Sequence, residues 1–143
     1  GCCRRVLGMK VMDTGESPKN LYDFIRERLP VKPKYVLYDA ACKLKSYAMA
    51  RDSKFFCHIT ILFDRLHESN HVWSCNPSHF LKLYNAHELL GGCVSQVCEQ
   101  VNSEIKSYPV HTVRHMNLAH AMIYMSTFFV LLNERNSLNY GYR

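Results

Sequence analysis

The sequence has little of what makes a chain disordered, fibrous or membrane-spanning. It holds only 6 Gly and 5 Pro in 143 residues, which excludes low-complexity linkers and collagen-like structure. Its longest uncharged apolar stretch, residues 118–132, has 15 residues, whereas a helix that crosses a bilayer needs about 20. Residues 1–5 contain no initiator Met and no signal-peptide apolar region. We therefore expect a fragment of an intracellular protein that is neither secreted nor inserted in a membrane.

Phosphate-binding loops are missing as well. Neither G-x-x-x-x-G-K-[ST] nor G-x-G-x-x-G occurs, so nucleotide binding through such loops has no support. The 7 Cys are odd in number and accompany no secretory signal, which argues against a disulfide framework. Reduced thiols, some of them metal ligands, are the better expectation.

The positive charge is concentrated in the first part of the chain. Residues 1–56 carry 12 Lys and Arg against 6 Asp and Glu, whereas residues 57–143 carry 6 of each. A basic half suits a polyanionic partner such as DNA. The alternative is an ordinary solvated surface.

Apolar periodicity predicts alternating strands and helices. Short apolar runs predict strands over residues 6–12, 35–38 and 59–63. Helical spacing predicts helices over residues 17–29, 40–51, 94–107 and 112–133. Ser17 before Pro18 is typical of a helix N-terminus. The alternation indicates an α/β layer with mostly parallel strands, interrupted by an irregular insertion over residues 65–93 and followed by a frayed tail over residues 136–143.

The last predicted helix is apolar nearly all round from Ala121 to Leu132. A helix of this kind is buried or lies at an interface. We therefore expect it to pack in the core or to contact a protein partner.

Three acidic residues occupy positions where chemistry is plausible. Asp39 and Asp64 each follow a predicted strand, and Glu99 lies on the polar face of a predicted helix. Ligands of open α/β sheets bind beyond the carboxyl ends of the strands, and carboxylates gathered there can hold Mg²⁺. The alternative for a strand-end Asp is that it caps the helix that follows.

Four motifs in order resemble one protein family. They are Gly15-Glu16-Ser17-Pro18, Tyr38-Asp39-Ala40-Ala41-Cys42-Lys43-Leu44, Phe63-Asp64-Arg65-Leu66-His67 with Asn70-His71, and Cys98-Glu99-Gln100 with Asn102-Ser103. The series resembles the C-terminal part of the catalytic domain of Kyakuja-Dileera-Zisupton (KDZ) transposases and their domesticated relatives. The resemblance covers roughly residues 6–133.

The resemblance implies an RNase H-like fold of the DDE type, with a mixed sheet and helices on both faces. Residues 1–135 would form a partial domain whose N-terminal strands are missing. Asp39 and Glu99 would bind Mg²⁺ or Mn²⁺ for phosphodiester cleavage and strand transfer in the parent activity. The first catalytic Asp of such a site has no counterpart here, so we expect this chain to be inactive, with weak, non-specific DNA binding and a nuclear or intracellular location.

The predicted insertion contains a second constellation, His67-x3-His71-x3-Cys75. Imidazole and thiolate are good Zn²⁺ ligands, and His67 and His71 would share one face of a helical turn. A structural site needs a fourth ligand, for which the candidates are Cys98, Cys42, Cys93 and His79. In the resembled family the comparable Cys lies one residue closer. The alternative is that His67 and His71 form local hydrogen bonds or line the acidic pocket and that Cys75 is a small buried apolar residue.

Two functional hypotheses follow. The first is a transposase-derived domain that binds metal and DNA. The second is a non-catalytic, domesticated interaction module that is stabilised by a structural zinc ion and whose apolar last helix contacts a protein. An upstream strand ending in Asp in the parent gene would favour the first.

Overall fold

The computed structural model describes residues 4–12, 15–63, 97–107 and 112–140. These residues form two compact units, one of residues 8–12 and 15–63 and the other of residues 4–7, 97–107 and 112–140. Helices and a small parallel sheet are both present, so the expected mixed α/β class is confirmed. The wider RNase H-like sheet stays a prediction.

Helix α1 (Pro18–Glu27) begins where the sequence predicts. The Ser17 hydroxyl accepts a hydrogen bond from the Asn20 backbone N–H at 3.3 Å, and Pro18 occupies the first helical position. Both features satisfy or remove amide donors that a helix start leaves unpaired. The helix ends before Pro30, which cannot continue it.

Strands β1 (Tyr35–Leu37) and β2 (Thr60–Leu62) pair in parallel, with Val36 opposite Ile61. The pairing continues past β1, because the Tyr38 N–H donates to the Leu62 carbonyl at 2.9 Å. The parallel arrangement confirms the prediction from the strand–helix–strand order.

Helix α2 (Ala41–Phe56) connects the two strands and contains a break at Asp52, whose backbone is non-helical. The Asp52 side chain accepts a hydrogen bond from the Phe55 N–H at 3.1 Å and so caps the last helical turn. Its other carboxylate oxygen accepts one from Arg26 on α1 at 3.0 Å. The predicted helix end at Arg51 therefore coincides with this break.

The core of this unit lies between α1, α2 and the sheet. Phe56 and Leu44 are fully buried in it, and Tyr22 stacks on Phe56 with ring centroids 5.0 Å apart. Leu62 is also fully buried but packs in a separate cluster with Tyr35 and Leu37. The segment before α1 also approaches closely: a Cβ at Gly8 would lie 3.0 Å from the Phe24 ring.

The second unit contains α3 (Val97–Ser107) and α4 (Leu118–Tyr140). Helix α4 begins at Leu118 and not near Thr112, because Asn117 caps it: the Asn117 side chain accepts a hydrogen bond from the His120 N–H at 3.0 Å. Arg135 on α4 forms an ion pair with Glu104 on α3.

The predicted strand over residues 6–12 is wrong, since the described stretch 4–12 forms no strand. The Asn133 side chain forms hydrogen bonds with the Val6 backbone of the kind that a neighbouring strand would form. Its Oδ1 accepts from the Val6 N–H and its Nδ2 donates to the Val6 carbonyl, both at 2.8 Å.

Helix α4 continues to Tyr140, beyond its predicted end at Asn133 and into the predicted tail. Asn136 is buried and donates a hydrogen bond to the Arg4 carbonyl at 3.0 Å. This contact holds the last turns in place. Within the described ranges, no helix combines the length and the apolarity needed to cross a membrane.

Candidate functional site

Asp39 lies at the carboxyl end of β1, as the sequence predicts. The Ala41 N–H donates to the Tyr38 carbonyl at 3.1 Å, so the chain turns here before entering α2. Asp39 is exposed, and its Oδ1 accepts a hydrogen bond from the Ala40 N–H at 2.8 Å. The N-cap of α2 is Ala40, which has no side-chain cap. Asp39 therefore precedes the capping position and presents its carboxylate at the edge of the sheet.

Tyr38 and Glu16 complete this edge, and the sequence assigned neither of them a role. Burial raises the pKa of Tyr38 to about 12, with further contributions from the charge of Glu16, from its hydrogen bond to Tyr38 and from the charge of Asp39. Both carboxylates are thus near enough to the phenol to stabilise its protonated form. No spacing rule links residue 16 to residue 38, which is why sequence patterns alone could not pair them.

A groove of about 310 Å³ opens beside Tyr38. Apolar side chains of α1 and β1 line it, including Leu21, Phe24 and Leu37, and Glu16 and Lys10 contribute charged groups. The Lys10 ammonium also lies 3.7 Å from the Asp23 carboxylate. The carboxyl end of β1 therefore combines a concave apolar surface with acidic groups.

No group of three or more His, Cys, Asp or Glu side chains comes together as a metal site within the described part of the chain. Mg²⁺ commonly binds through only one or two carboxylates and takes its other ligands from water and phosphate. Asp39 with Glu16 falls within that chemistry. A closed tetrahedral zinc site would need more protein ligands than the described residues of this edge offer.

Glu99 lies exposed in the first turn of α3, on the polar face that the sequence predicts. A carboxylate there interacts favourably with the positive end of the helix dipole. Glu99 and Asp39 belong to different compact units, and their pairing in one metal site stays a prediction.

The predicted zinc ligands are only partly described. His67, His71 and Cys75 lie outside the described residues, as do Asp64, His79 and Cys93. Of the proposed fourth ligands, Cys98 is exposed on α3 and Cys42 is partly buried on α2.

Basic side chains gather at the opposite end of the sheet from Asp39. Lys34 directly precedes β1, and its carbonyl accepts a hydrogen bond from the Thr60 N–H at 2.9 Å. Lys32 and Arg26 both lie over the Phe55 ring, at 4.4 and 4.8 Å from its centroid. The amino ends of the parallel strands therefore carry positive charge, and the carboxyl end of β1 carries negative charge.

Comparisons of the chain with models of protein families, with curated proteins and with solved structures find no match. Any function proposed for the chain therefore rests on its own sequence and on the described residues.

Proposed function

We propose that the chain is a transposase-derived, RNase H-like domain in which Asp39 binds a divalent metal ion, Mg²⁺ or Mn²⁺. The observation that carries the proposal is the exposed Asp39 carboxylate at the carboxyl end of a parallel strand. Ligands of α/β sheets bind at this end. Glu99 is the second acid of the proposed site. In the parent activity, such ions stabilise the attacking and leaving oxygens of a phosphodiester.

Metal binding tests the role of Asp39 directly. Mn²⁺ added to the purified chain should bind, as measured by the loss of the free-ion electron paramagnetic resonance signal. Asp39→Asn should weaken binding by about tenfold or more, because the substitution removes a charged oxygen ligand. Glu27→Gln, at an exposed acid on α1, is the matched control and should leave binding unchanged. Equal affinity of Asp39→Asn and the unaltered chain would contradict the proposal.

Glu99→Gln should weaken Mn²⁺ binding in the same assay, because the two acids share one site in the proposal. We expect no nicking of supercoiled DNA with Mg²⁺ or Mn²⁺, since a two-metal site needs its full carboxylate set. Nicking that disappears in Asp39→Asn would show that the chain holds a complete site.

DNA is the proposed partner of the basic end of the sheet. Lys32 and Lys34 are exposed there, and scattered phosphate contacts give weak, non-specific affinity that falls as salt rises. Fluorescence anisotropy with a labelled duplex should show this. The double variant Lys32→Ala/Lys34→Ala should reduce the salt slope by about 2, whereas Lys19→Ala, at a lysine paired with Asp23, should change it less.

We propose the zinc site at His67, His71 and Cys75 as a separate component, with Cys98 among the candidate fourth ligands. Elemental analysis of the purified chain should find about one equivalent of Zn²⁺. His71→Ala should lower that content, and an unchanged zinc content in this variant would exclude the site.

A non-catalytic interaction module is the second candidate function. The observation that favours it is the exposure of large apolar side chains along α4. If Asp39→Asn leaves Mn²⁺ affinity unchanged, this candidate becomes the better one.

A further inference from the structure

Helix α4 leaves large apolar side chains in contact with solvent. Ile123 is 65% exposed, Val130 56%, Leu131 58% and Leu138 85%. Isolated exposed apolar residues are ordinary, but four on one helix make a patch that favours association. We call these four residues the α4 face.

The α4 face is one side of the helix. At about 100° per residue, its four members fall within an arc of roughly 100°. Leu132 and Asn136, which are buried, project from the other side toward the rest of their unit. The exposed face therefore lies opposite the face that packs internally.

The spacing of the α4 face reads the same in both directions. The steps from Ile123 to Val130, to Leu131 and to Leu138 are seven, one and seven residues. An interface with two-fold symmetry requires that residue i contact residue j while j contacts i. An antiparallel pair of α4 helices with its axis between residues 130 and 131 meets this requirement. Ile123 then faces Leu138 of the second copy, and Val130 faces Leu131.

We propose that the α4 face binds a second copy of this chain in this antiparallel arrangement. Covering the four side chains on both copies buries on the order of 1,000 Å² of surface, which is the lower bound for a specific interface. A cleft of about 590 Å³ beside Val130, Glu134 and Leu138 offers room for side chains of the second copy.

Charge also favours the antiparallel direction. Glu134 lies on the same side of α4 as the four apolar residues and is exposed. In a parallel pair it would face Glu134 of the second copy, and directly opposed like charges are destabilising. In the antiparallel pair it faces Thr127, and the two Glu134 carboxylates are separated along the axis by about 10 Å, at 1.5 Å per residue.

Sedimentation equilibrium of the full chain under reducing conditions tests the proposal. A reversible monomer–dimer equilibrium should appear between about 1 and 100 µM. Val130→Glu should weaken it by more than about tenfold, because the new charge is buried against Leu131 of the second copy. A chain that stays monomeric throughout this range, or a dimer that tolerates Val130→Glu, would overturn the proposal.

Two further variants test which face of α4 forms the interface and whether the two helices run antiparallel. Leu118 is 64% exposed and projects from the side of α4 opposite the α4 face, so Leu118→Glu should leave the dimer intact. The double variant Val130→Glu/Leu131→Lys places opposite charges against each other across the axis, and it should recover dimerisation relative to Val130→Glu. Loss of the dimer in Leu118→Glu would show that the α4 face is not the interface. Failure of the double variant to recover dimerisation would exclude the antiparallel pairing.

The dimer and the metal site can fail separately. The dimer rests on α4 alone, and its readout is mass, whereas the metal proposal is read by Mn²⁺ affinity of Asp39→Asn. Circular dichroism of each variant confirms retained helix content, since every substituted position on α4 is exposed.

Discussion

The two compact units bury their apolar residues to very different extents. Among the described residues, nine buried apolar side chains belong to the unit of residues 8–63, and only Leu132 belongs to the unit that holds α3 and α4. Helix α4 nevertheless has a more apolar sequence than α1 or α2 of the other unit. Burial thus follows the arrangement of apolar residues and not their number.

The difference has a simple physical origin. Helix α1 has an apolar stripe with polar residues opposite, so one face packs and the other is solvated. Helix α4 is apolar on several sides, and within the described part of the chain several of its large apolar side chains stay exposed. The remaining apolar surface is available to a partner, which is the basis of the proposed dimer.

A substitution in each unit tests the contrast most strongly. Leu44→Ala should lower the free energy of unfolding by about 2–5 kcal/mol, because Leu44 is fully buried and its loss leaves a cavity. Leu131→Ala, at an exposed leucine, should change it by less than about 0.5 kcal/mol in the monomer. Urea denaturation at low protein concentration measures both. Equal losses in the two variants would show that the units do not differ as described.

Asn133 gives the next largest expected effect. Asn133→Ala removes both hydrogen bonds to the Val6 backbone and should cost about 1–3 kcal/mol. The Val6 amide should then exchange with deuterium much faster. Asn139→Ala, at an exposed residue of the same helix, serves as the control. In this variant the Val6 amide should exchange as slowly as in the unaltered chain. Unchanged exchange in Asn133→Ala would mean that Val6 is held by other contacts.

Ser17 provides a smaller effect in the other unit. Ser17→Ala removes the N-cap of α1 and should cost about 1 kcal/mol. Ser46→Ala, in the middle of α2 and exposed, should be neutral or slightly stabilising because Ala is the better helix former. Thermal denaturation compares the two, and a Ser17→Ala loss no larger than that of Ser46→Ala would exclude a capping role.

We expect the smallest effect on stability from the ionisation of Tyr38, which occurs only at high pH. Its pKa is raised from 10.0 to about 12 in the folded chain, so the unfolded chain releases this proton first. The contribution to stability is fully present below pH 10 and is lost as the pH rises toward 12. Glu16→Gln should lower the pKa of Tyr38, as measured by ultraviolet titration of tyrosinate, whereas Glu27→Gln should leave it unchanged. A Tyr38 pKa that is the same in Glu16→Gln as in the unaltered chain would contradict the contact between Tyr38 and Glu16.

Short-range patterns predicted much of the first unit. The start of α1 at Ser17 and Pro18, the two parallel strands and the exposed Asp39 at the end of β1 all follow from neighbouring residues. Local propensity and short connections decide such features. The sequence therefore located the carboxyl end of β1, where Asp39 lies, to within one residue.

Long-range side-chain contacts account for what the sequence did not predict. Residues 6–12 have the composition of a strand, but the Asn133 amide satisfies the Val6 backbone from the far end of the chain. The break at Asp52 depends on a cap and on Arg26 of another helix. The contact between Tyr38 and Glu16 likewise joins separate elements. No periodicity reports such partners, since they are set only once the elements pack.

The contact between Val6 and Asn133 also sets an order of events during protein synthesis. The two residues are 127 positions apart, which a ribosome covers in roughly 6–25 s at 5–20 residues per second. The contacts between α1 and α2 lie within a much shorter span and can form while translation continues. Residues 4–7 are therefore made before nearly all the rest of the described chain, and Val6 cannot form its hydrogen bonds with Asn133 until that residue has been synthesised.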